Sequence, residues 1–425
     1  MRKWLLGAVM FGICALVRAD ELGSDRFLLG DWAGLRTRLH ERGVDFLLHY
    51  FSEPAYNVSG GDKRLLRYAD QFTADATFDL DKLFSWPRAI FKITLTYRNG
   101  SSLSAEANLH TLMEVQEVYG RGDILRLTEL SYEQVLLDGF LDVKLGRLGV
   151  GGSFDSWSCQ FMNLSFCGTL PGNIVSTWYN WPVSQWGARL RLRFSEDLRF
   201  EAGIYQINPR NLEDGTTLSF SGGIGAMIPV ELDWSPRFGS AQLPGTYRIG
   251  AWYDTSSQPD VFLAANGEPL ALNPGVPALM HDGESGVYLN AQQQLTGASA
   301  NSRGLSVFFN WVEADHTTAT ITELLSLGMF YAGPFGARRQ DTLGLAVGRT
   351  RVNPRVAEGQ RLQNSTGASA PVPVQSAEYP VELFYNIQFT PWLSVSPLVQ
   401  YVIHPGGTSG YPDVVVVGAN IAVTF

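Results

Sequence analysis

Three arginines stand at every second position of "WGARLRLRF": Arg189, Arg191 and Arg193. In an extended chain that spacing puts all three guanidinium groups on one face, ~6.6 Å apart. Arg199 and Glu201 follow just across a tight turn, and Arg248 in "GTYRIGAWYD" holds the same parity. Glu382 and Trp252 also fall on the polar side of their alternating segments. A guanidinium is a planar fork of donors that can hold hydroxyl groups or pair with carboxylates. Such a column, with acidic and aromatic neighbours, offers a neutral hydroxyl-rich solute both hydrogen bonds and stacking surfaces. A plainer reading has the same charges simply neutralising one another in water. Enzymatic chemistry is not expected: the six histidines are scattered, and neither G-x-S-x-G nor H-E-x-x-H occurs.

The elements that must position these residues are strands. "RAIFKITLTYR" sets Ala89, Phe91, Ile93, Leu95 and Tyr97 against Arg88, Lys92, Thr94, Thr96 and Arg98. The arginine segment repeats the pattern, with Trp186, Ala188, Leu190, Leu192 and Phe194 on its apolar face. Sixteen such strands are expected, near 44–58, 67–80, 88–98, 123–136, 139–149, 186–196, 197–207, 227–234, 246–254, 286–295, 303–313, 323–332, 341–350, 378–388, 392–402 and 414–425. Long connections at 99–122, 150–185, 255–285, 351–377 and 403–413 alternate with tight turns near Asp138, between Ser195 and Asp197, and at 389–391. A soluble sandwich has no reason for that asymmetry, whereas a transmembrane antiparallel β-barrel does. The final "VVVVGANIAVTF" is itself an alternating strand, suited to pair with the first and leave no edge in lipid.

The opening "MRKWLLGAVMFGICALVRA" has the charged, apolar and small-residue parts of a secretory signal peptide, expected at 1–19. Its loss removes Arg2, Lys3 and Arg18 and takes the formal charge from −9 to about −12. An acidic exported chain has no electrostatic case for nucleic acid. No apolar run in the remainder approaches ~20 residues, which excludes spanning helices. Residues 20–43 read as a periplasmic segment carrying a short helix in "GDWAGLRTRLHERGV". Trp32, Leu35 and Leu39 form its apolar face and Asp31 its N-cap, leaving 44–425 for the barrel. Cys159 and Cys167 are expected to pair in an oxidising compartment. Their loop either stiffens an external segment or folds into the lumen. No histidine nearby completes a zinc-like set, and neither metal nor cofactor is expected.

The order and spacing of several blocks resemble the OprB-type carbohydrate-selective porins of Gram-negative outer membranes. They are "GDWAGLRTRLHERGVDF", "NVSGG", "VQEVYGRGDILRLTELSYEQ", "LDVKLGRLGVG", "CQFMNLSFCG", "PVSQWGARLRLR", "AGIYQINP", "LPGTYRIGAWYDTS" and "LVQYVIHPGG". The resemblance covers nearly the whole mature chain. It implies a sixteen-stranded barrel admitting small sugars such as glucose by facilitated diffusion, as a monomer or homotrimer. It also implies that Arg121, Arg126 and Glu129 belong to the constriction. The alternation around them is imperfect, and a bulge could re-aim part of this strand. Arg147 shares parity with Val143 and Leu145, so it sits either at a lipid rim or beyond a bulge. A chain end such as Phe425 resembles the signal read by barrel-assembly machinery. A less selective or anion-preferring porin remains the competing reading, because a line of arginines also suits anion conduction.

Overall fold

A computed structural model describes residues 24–425 apart from 121, 158, 300–302, 368 and 369, so the expected signal peptide and Arg121 lie outside the described residues. The strands are β1 Val44–Ser59, β2 Leu66–Asp79, β3 Ala89–Gly100, β4 Ile124–Leu136, β5 Leu141–Leu148, β6 Gln185–Arg193, β7 Leu198–Ile207 and β8 Gly225–Trp234. They continue with β9 Arg237–Phe238, β10 Leu243–Ala264, β11 Ala278–Gln294, β12 Gly304–Ala314 and β13 Ile321–Ala332. The last four are β14 Thr342–Val352, β15 Ala377–Thr390, β16 Leu393–Ile403 and β17 Val414–Thr424. All belong to one sheet in which β1 pairs with both β2 and β17. Setting the two-residue β9 aside, sixteen antiparallel strands close a barrel. The closing register matches Phe51 with Ala422 and Tyr56 with Val417. No described helix is long and apolar enough to cross a membrane; the strands do so.

Period-two alternation decides which side each residue takes. Ile249, Val287, Leu327, Val347, Leu383, Val399 and Val417 remain exposed on the outside, an apolar band suited to lipid. The intervening positions face inward; many are polar, charged or aromatic, while Val312, Leu324, Ala346, Leu398, Val402 and Val416 are aliphatic and buried. Tight turns sit at one end, as at Leu137, Asp138 and Gly139, where three successive residues take positive φ (49°, 54° and 97°). Glycine completes that turn because only it adopts such angles freely.

Two expectations need correction, on residues 255–285 and on the N-terminal helix, and one long connection holds an element the spacing did not mark. Residues 255–285 are not a simple loop: β10 and β11 run on past the barrel as a hairpin, with Asp254 opposite Glu284 and Ser257 opposite Asp282. The connection 351–377 contains a helix, Pro354–Thr366, whose Arg355 pairs with Asp260 of that hairpin at 2.8 Å. The short N-terminal helix, Leu35–Glu41, docks by a different face from the one expected. Trp32 and Leu35 stay exposed, and Arg36 is buried instead. The Arg36 guanidinium donates to the carbonyls of Phe46 (3.0 Å) and Phe425 (2.8 Å), with Phe27 and Trp32 rings against it. Asp31 accepts from the Thr37 amide and hydroxyl, although the residue in the N-cap position is Gly34.

Two connections that fold back inside, 101–123 and 149–184, pack their buried apolar side chains against the inner wall. Leu103, Leu109, Val115, Phe161, Met162 and Phe166 pack with Phe308, Phe330 and Phe384 of the wall. Phe154, Leu170 and Trp178 pack with Tyr205, Trp252 and Tyr288.

Candidate functional site

The inner faces of β2 to β8 and β10 carry a continuous charged wall. Lys92 lies 3.5 Å from both Asp75 and Glu129, and Lys144 reaches Glu129 at 2.6 Å and Glu133 at 3.6 Å. Arg189 meets Glu133 at 3.1 Å and Asp142 at 2.8 Å. Arg191 joins Asp142 (3.2 Å) to Glu201 (2.6 Å), and Arg193 lies 3.3 Å from Asp142. Arg199 reaches Asp233 at 3.0 Å, while Arg248 reaches Asp233 at 2.6 Å and Glu231 at 3.6 Å. Strand pleating produces this ladder: every second residue points in, and opposite charges meet straight across, as Asp142 with Arg191 and Arg191 with Glu201, or diagonally where like charges face, as Lys144 with Arg189 and Glu201 with Glu231. The cations are Lys92, Lys144, Arg189, Arg191, Arg193, Arg199 and Arg248. The carboxylates are Asp75, Glu129, Glu133, Asp142, Glu201, Glu231 and Asp233, seven of each.

Glu129 joins the ladder because of a bulge. Thr94 pairs with Glu129 while Leu95 pairs with Leu127, so Thr128 is the extra residue and the strand changes face there. The bulge that the imperfect alternation left open is present, at Thr128.

Opposite this wall, the 149–184 connection covers the inner face of β10 to β17. Cys159 and Cys167 are disulfide-bonded, with Cα atoms 4.8 Å apart. Of the two readings left open for this loop, the contacts are those of an inward fold. Phe161 lies among Phe308, Phe330 and Phe384, and Trp178 stands edge-on to Trp252 at 5.7 Å. Trp252 and Tyr288 lie close against the wall because Gly286 and Gly250 face their rings; a Cβ at either glycine would collide with the ring. Buried wall carboxylates accept loop amides. Glu382 takes the N–H groups of Met162 (2.8 Å) and Asn163 (2.7 Å), Glu231 that of Asp155 (2.7 Å), and Glu53 that of Val118 (3.1 Å). Glu378 takes those of Leu112 (2.7 Å) and Gly406 (2.9 Å). Two loop carboxyls are themselves raised above the usual range. Burial pushes Asp155 well up with Glu231 adding to it, and burial raises Glu117 against the pull of Arg98.

Between wall and loop lies a cavity of about 170 Å³, lined by Gly152, Ser153, Ser156, Arg191, Arg199, Glu201, Glu231, Asp233 and Arg248. Four expected residues meet there: Arg191, Arg199, Glu201 and Arg248. Arg193 borders the same ladder with about a third of its side chain exposed (32%). Four others differ from expectation. Arg189 is only 2% exposed and serves within the ladder. Arg126 donates to the carbonyls of Asn211 (2.8 Å) and Leu212 (2.9 Å), clamping an outer connection instead of lining the passage. Trp252 lies under Trp178, and Glu382 is fully buried beneath the loop, so neither faces the opening. Arg147, unassigned from sequence, is buried and donates to Ser184 and Asn211. A larger cleft of about 250 Å³ lies in the 208–221 connection, and no residue of the ladder lines it.

Asp142, Glu231 and Asp233 escaped the sequence reading. The alternation of "LDVKLG" and "PVELDW" was signal enough to place them inward.

A closed sixteen-stranded barrel with an apolar exterior, a charged lumen and an inward loop is an outer-membrane porin. The family described as carbohydrate-selective porin, OprB family, matches residues 63–425, and this chain belongs to it. Porin B of Pseudomonas aeruginosa is 41% identical, over 99% of this chain and 96% of that protein. The putative porin QuiX of Acinetobacter baylyi is 35% identical, over 99% of this chain and 98% of its own length. The high-pH structure of Pseudomonas putida OprB superposes with a TM-score of 0.91 at 39% identity, covering 94% of this chain and 99% of that one. The protein is therefore an outer-membrane carbohydrate porin of a Gram-negative bacterium, a family of channels.

Proposed function

We infer that the passage between the charged wall and the inward loop is the sugar path, and that it carries monosaccharides such as glucose by facilitated diffusion. The observation that carries this reading is the balance of the ladder: each guanidinium has a carboxylate partner. A matched wall offers donors and acceptors to neutral hydroxyls without a net field to favour either ion. Arg191, Arg193 and Arg199 are the residues assigned to solute contact, with the buried Glu201 and Arg248 holding them in place. Residues 1–19 are read as the signal peptide, 20–43 as the periplasmic segment and 44–425 as the barrel. The strand ending in Phe425 is read as the one handed to the assembly machinery, and no cofactor is assigned to the barrel.

The test is conductance of the purified protein in a planar bilayer, titrated with glucose, other sugars and a charged solute. Saturable closure by glucose, with a reversal potential near zero in a salt gradient, supports a neutral-sugar pore. Current indifferent to every sugar, with a reversal potential displaced toward that of chloride, replaces it with the anion-preferring reading.

A further inference from the structure

We propose that Asp142 sets the charge selectivity of this channel, as a positioning residue that holds three arginines to the wall and cancels the charge of the most exposed one. The inference deepens the neutral-sugar reading and rests on it. Asp142 stands on β5, directly across from Arg191 in the β5–β6 register, and is fully buried. It therefore touches no solute itself. Its Oδ1 accepts from Arg189 at 2.8 Å, and its Oδ2 accepts from Arg191 at 3.2 Å and Arg193 at 3.3 Å. Two oxygens thus gather the whole arginine column.

The three partners do not depend on Asp142 equally. Arg189 also reaches Glu133 at 3.1 Å, and Arg191 is joined to Glu201 by two contacts of 2.6 and 3.3 Å. Arg193 has Asp142 as its carboxylate partner, and its side chain is 32% exposed against 1% for Arg189. Without the Asp142 charge, Arg193 would face the passage as an uncompensated cation on a long, mobile stem. With it, the guanidinium is held flat to the wall and its remaining N–H groups meet a solute with no net positive potential behind them. A carboxylate at this place makes an arginine column compatible with a neutral substrate.

The experiment is the chloride-to-potassium permeability ratio in a planar bilayer, with glucose block measured on the same channels. Asp142→Asn is isosteric but leaves the ladder one positive charge in excess. The ratio should rise about threefold, the order expected for one added charge screened by water and salt at the wall of the passage, and glucose block should weaken. Asp142→Glu should restore both. Adding Arg193→Gln to Asp142→Asn should bring the ratio back to the wild-type value. If Asp142→Asn does not fold, judged by the heat-dependent electrophoretic shift of the barrel, Arg193→Gln alone serves. It leaves one negative charge in excess and should lower the ratio by a similar factor. A folded Asp142→Asn channel with an unchanged ratio overturns the proposal, as does an unchanged ratio in Arg193→Gln. The wild-type ratio and glucose block are read separately: a strongly anion-selective wild type defeats the neutral-sugar reading, while the change on substitution still judges Asp142.

Discussion

Replacing Phe161 by alanine should loosen the inward loop and widen the channel. The ring is 1% exposed, with centroids 5.4 Å from Phe166, 5.9 Å from Phe308, 5.4 Å from Phe330 and 5.0 Å from Phe384. Truncating a buried phenylalanine costs about 3–5 kcal/mol, part of it lost transfer energy and part the cavity left behind. The next two residues, Met162 and Asn163, give their amides to Glu382, so the ring and the carboxylate seat the same stretch. If the aromatic cluster exists only while the loop is seated, the loss falls entirely on the seated state. Its population relative to an open state then drops by roughly two to nearly four orders of magnitude, at ~1.4 kcal/mol per tenfold. Amide exchange at Met162 and Asn163 should accelerate accordingly. Single-channel conductance should rise, and sugars too large for the parent channel should enter in a liposome-swelling assay. The barrel itself should persist, because its strands are paired independently of Phe161. A folded variant with unchanged exchange at those amides and an unchanged size limit would refute the idea that this cluster seats the loop.

Other perturbations test separate parts. Replacing Cys159 and Cys167 by serine removes a link across a sequence separation of 8, worth roughly 2.5 kcal/mol on a chain-entropy estimate; faster exchange should be confined to the 149–184 connection, and melting of the whole barrel should change little. Asp155 accepts from the Leu170 amide at 2.7 Å, and burial holds its folded-state pKa above the unfolded value of ~3.9. Its stabilising contribution is therefore complete below about pH 4 and is lost as pH rises through the folded value. Loop amide protection should fall as pH is raised, and Asp155→Asn should flatten that slope. Arg36→Ala removes two hydrogen bonds from a charged donor and its aromatic contacts, about 2–4 kcal/mol together; thermal midpoint should drop while conductance and glucose block stay as they were.

The wall was more legible in the sequence than the loop that faces it. Strand alternation is a local property, so Arg189, Arg191, Arg193, Arg199, Glu201 and Arg248 could be placed inward from residue spacing alone. The ladder's other half was equally visible in "LDVKLG" and "PVELDW", since Asp142, Lys144, Glu231 and Asp233 obey the same period. What inward parity cannot reveal is whether an inward residue meets solvent. Glu382 and Trp252 point as expected but lie beneath a segment more than seventy residues away in sequence, and no local pattern records that cover. Arg36 was hidden for a related reason. Its partners, the carbonyls of Phe46 and Phe425, come together only once the barrel has closed. The β10–β11 extension escaped because its register slips between Asp254 and Ser257, which breaks the alternation that would have marked it.

The division of the lumen into two unlike halves has a physical logic. A sixteen-stranded barrel left empty is a wide aqueous channel with little power to choose. Narrowing it requires a segment inside, and that segment needs an apolar floor, because its own backbone cannot be fully hydrated once seated. Phe308, Phe330, Phe384, Trp252 and Tyr288 supply the floor, and Glu53, Glu231, Glu378 and Glu382 accept amides that would otherwise be orphaned. The half that remains exposed must then recognise the solute without that cover. Charged groups can do so only if they are held still and matched, since a free arginine would draw anions into the path and a free carboxylate would draw cations. Glu231 belongs to both halves: it holds the Asp155 amide of the loop and lies 3.6 Å from Arg248 of the wall. Seating of the loop and neutrality of the wall are therefore coupled at that carboxylate, so Glu231→Gln should both loosen the loop near Asp155 and shift the reversal potential toward that of chloride. If the two effects separate, with amide exchange altered and selectivity untouched, the halves work independently.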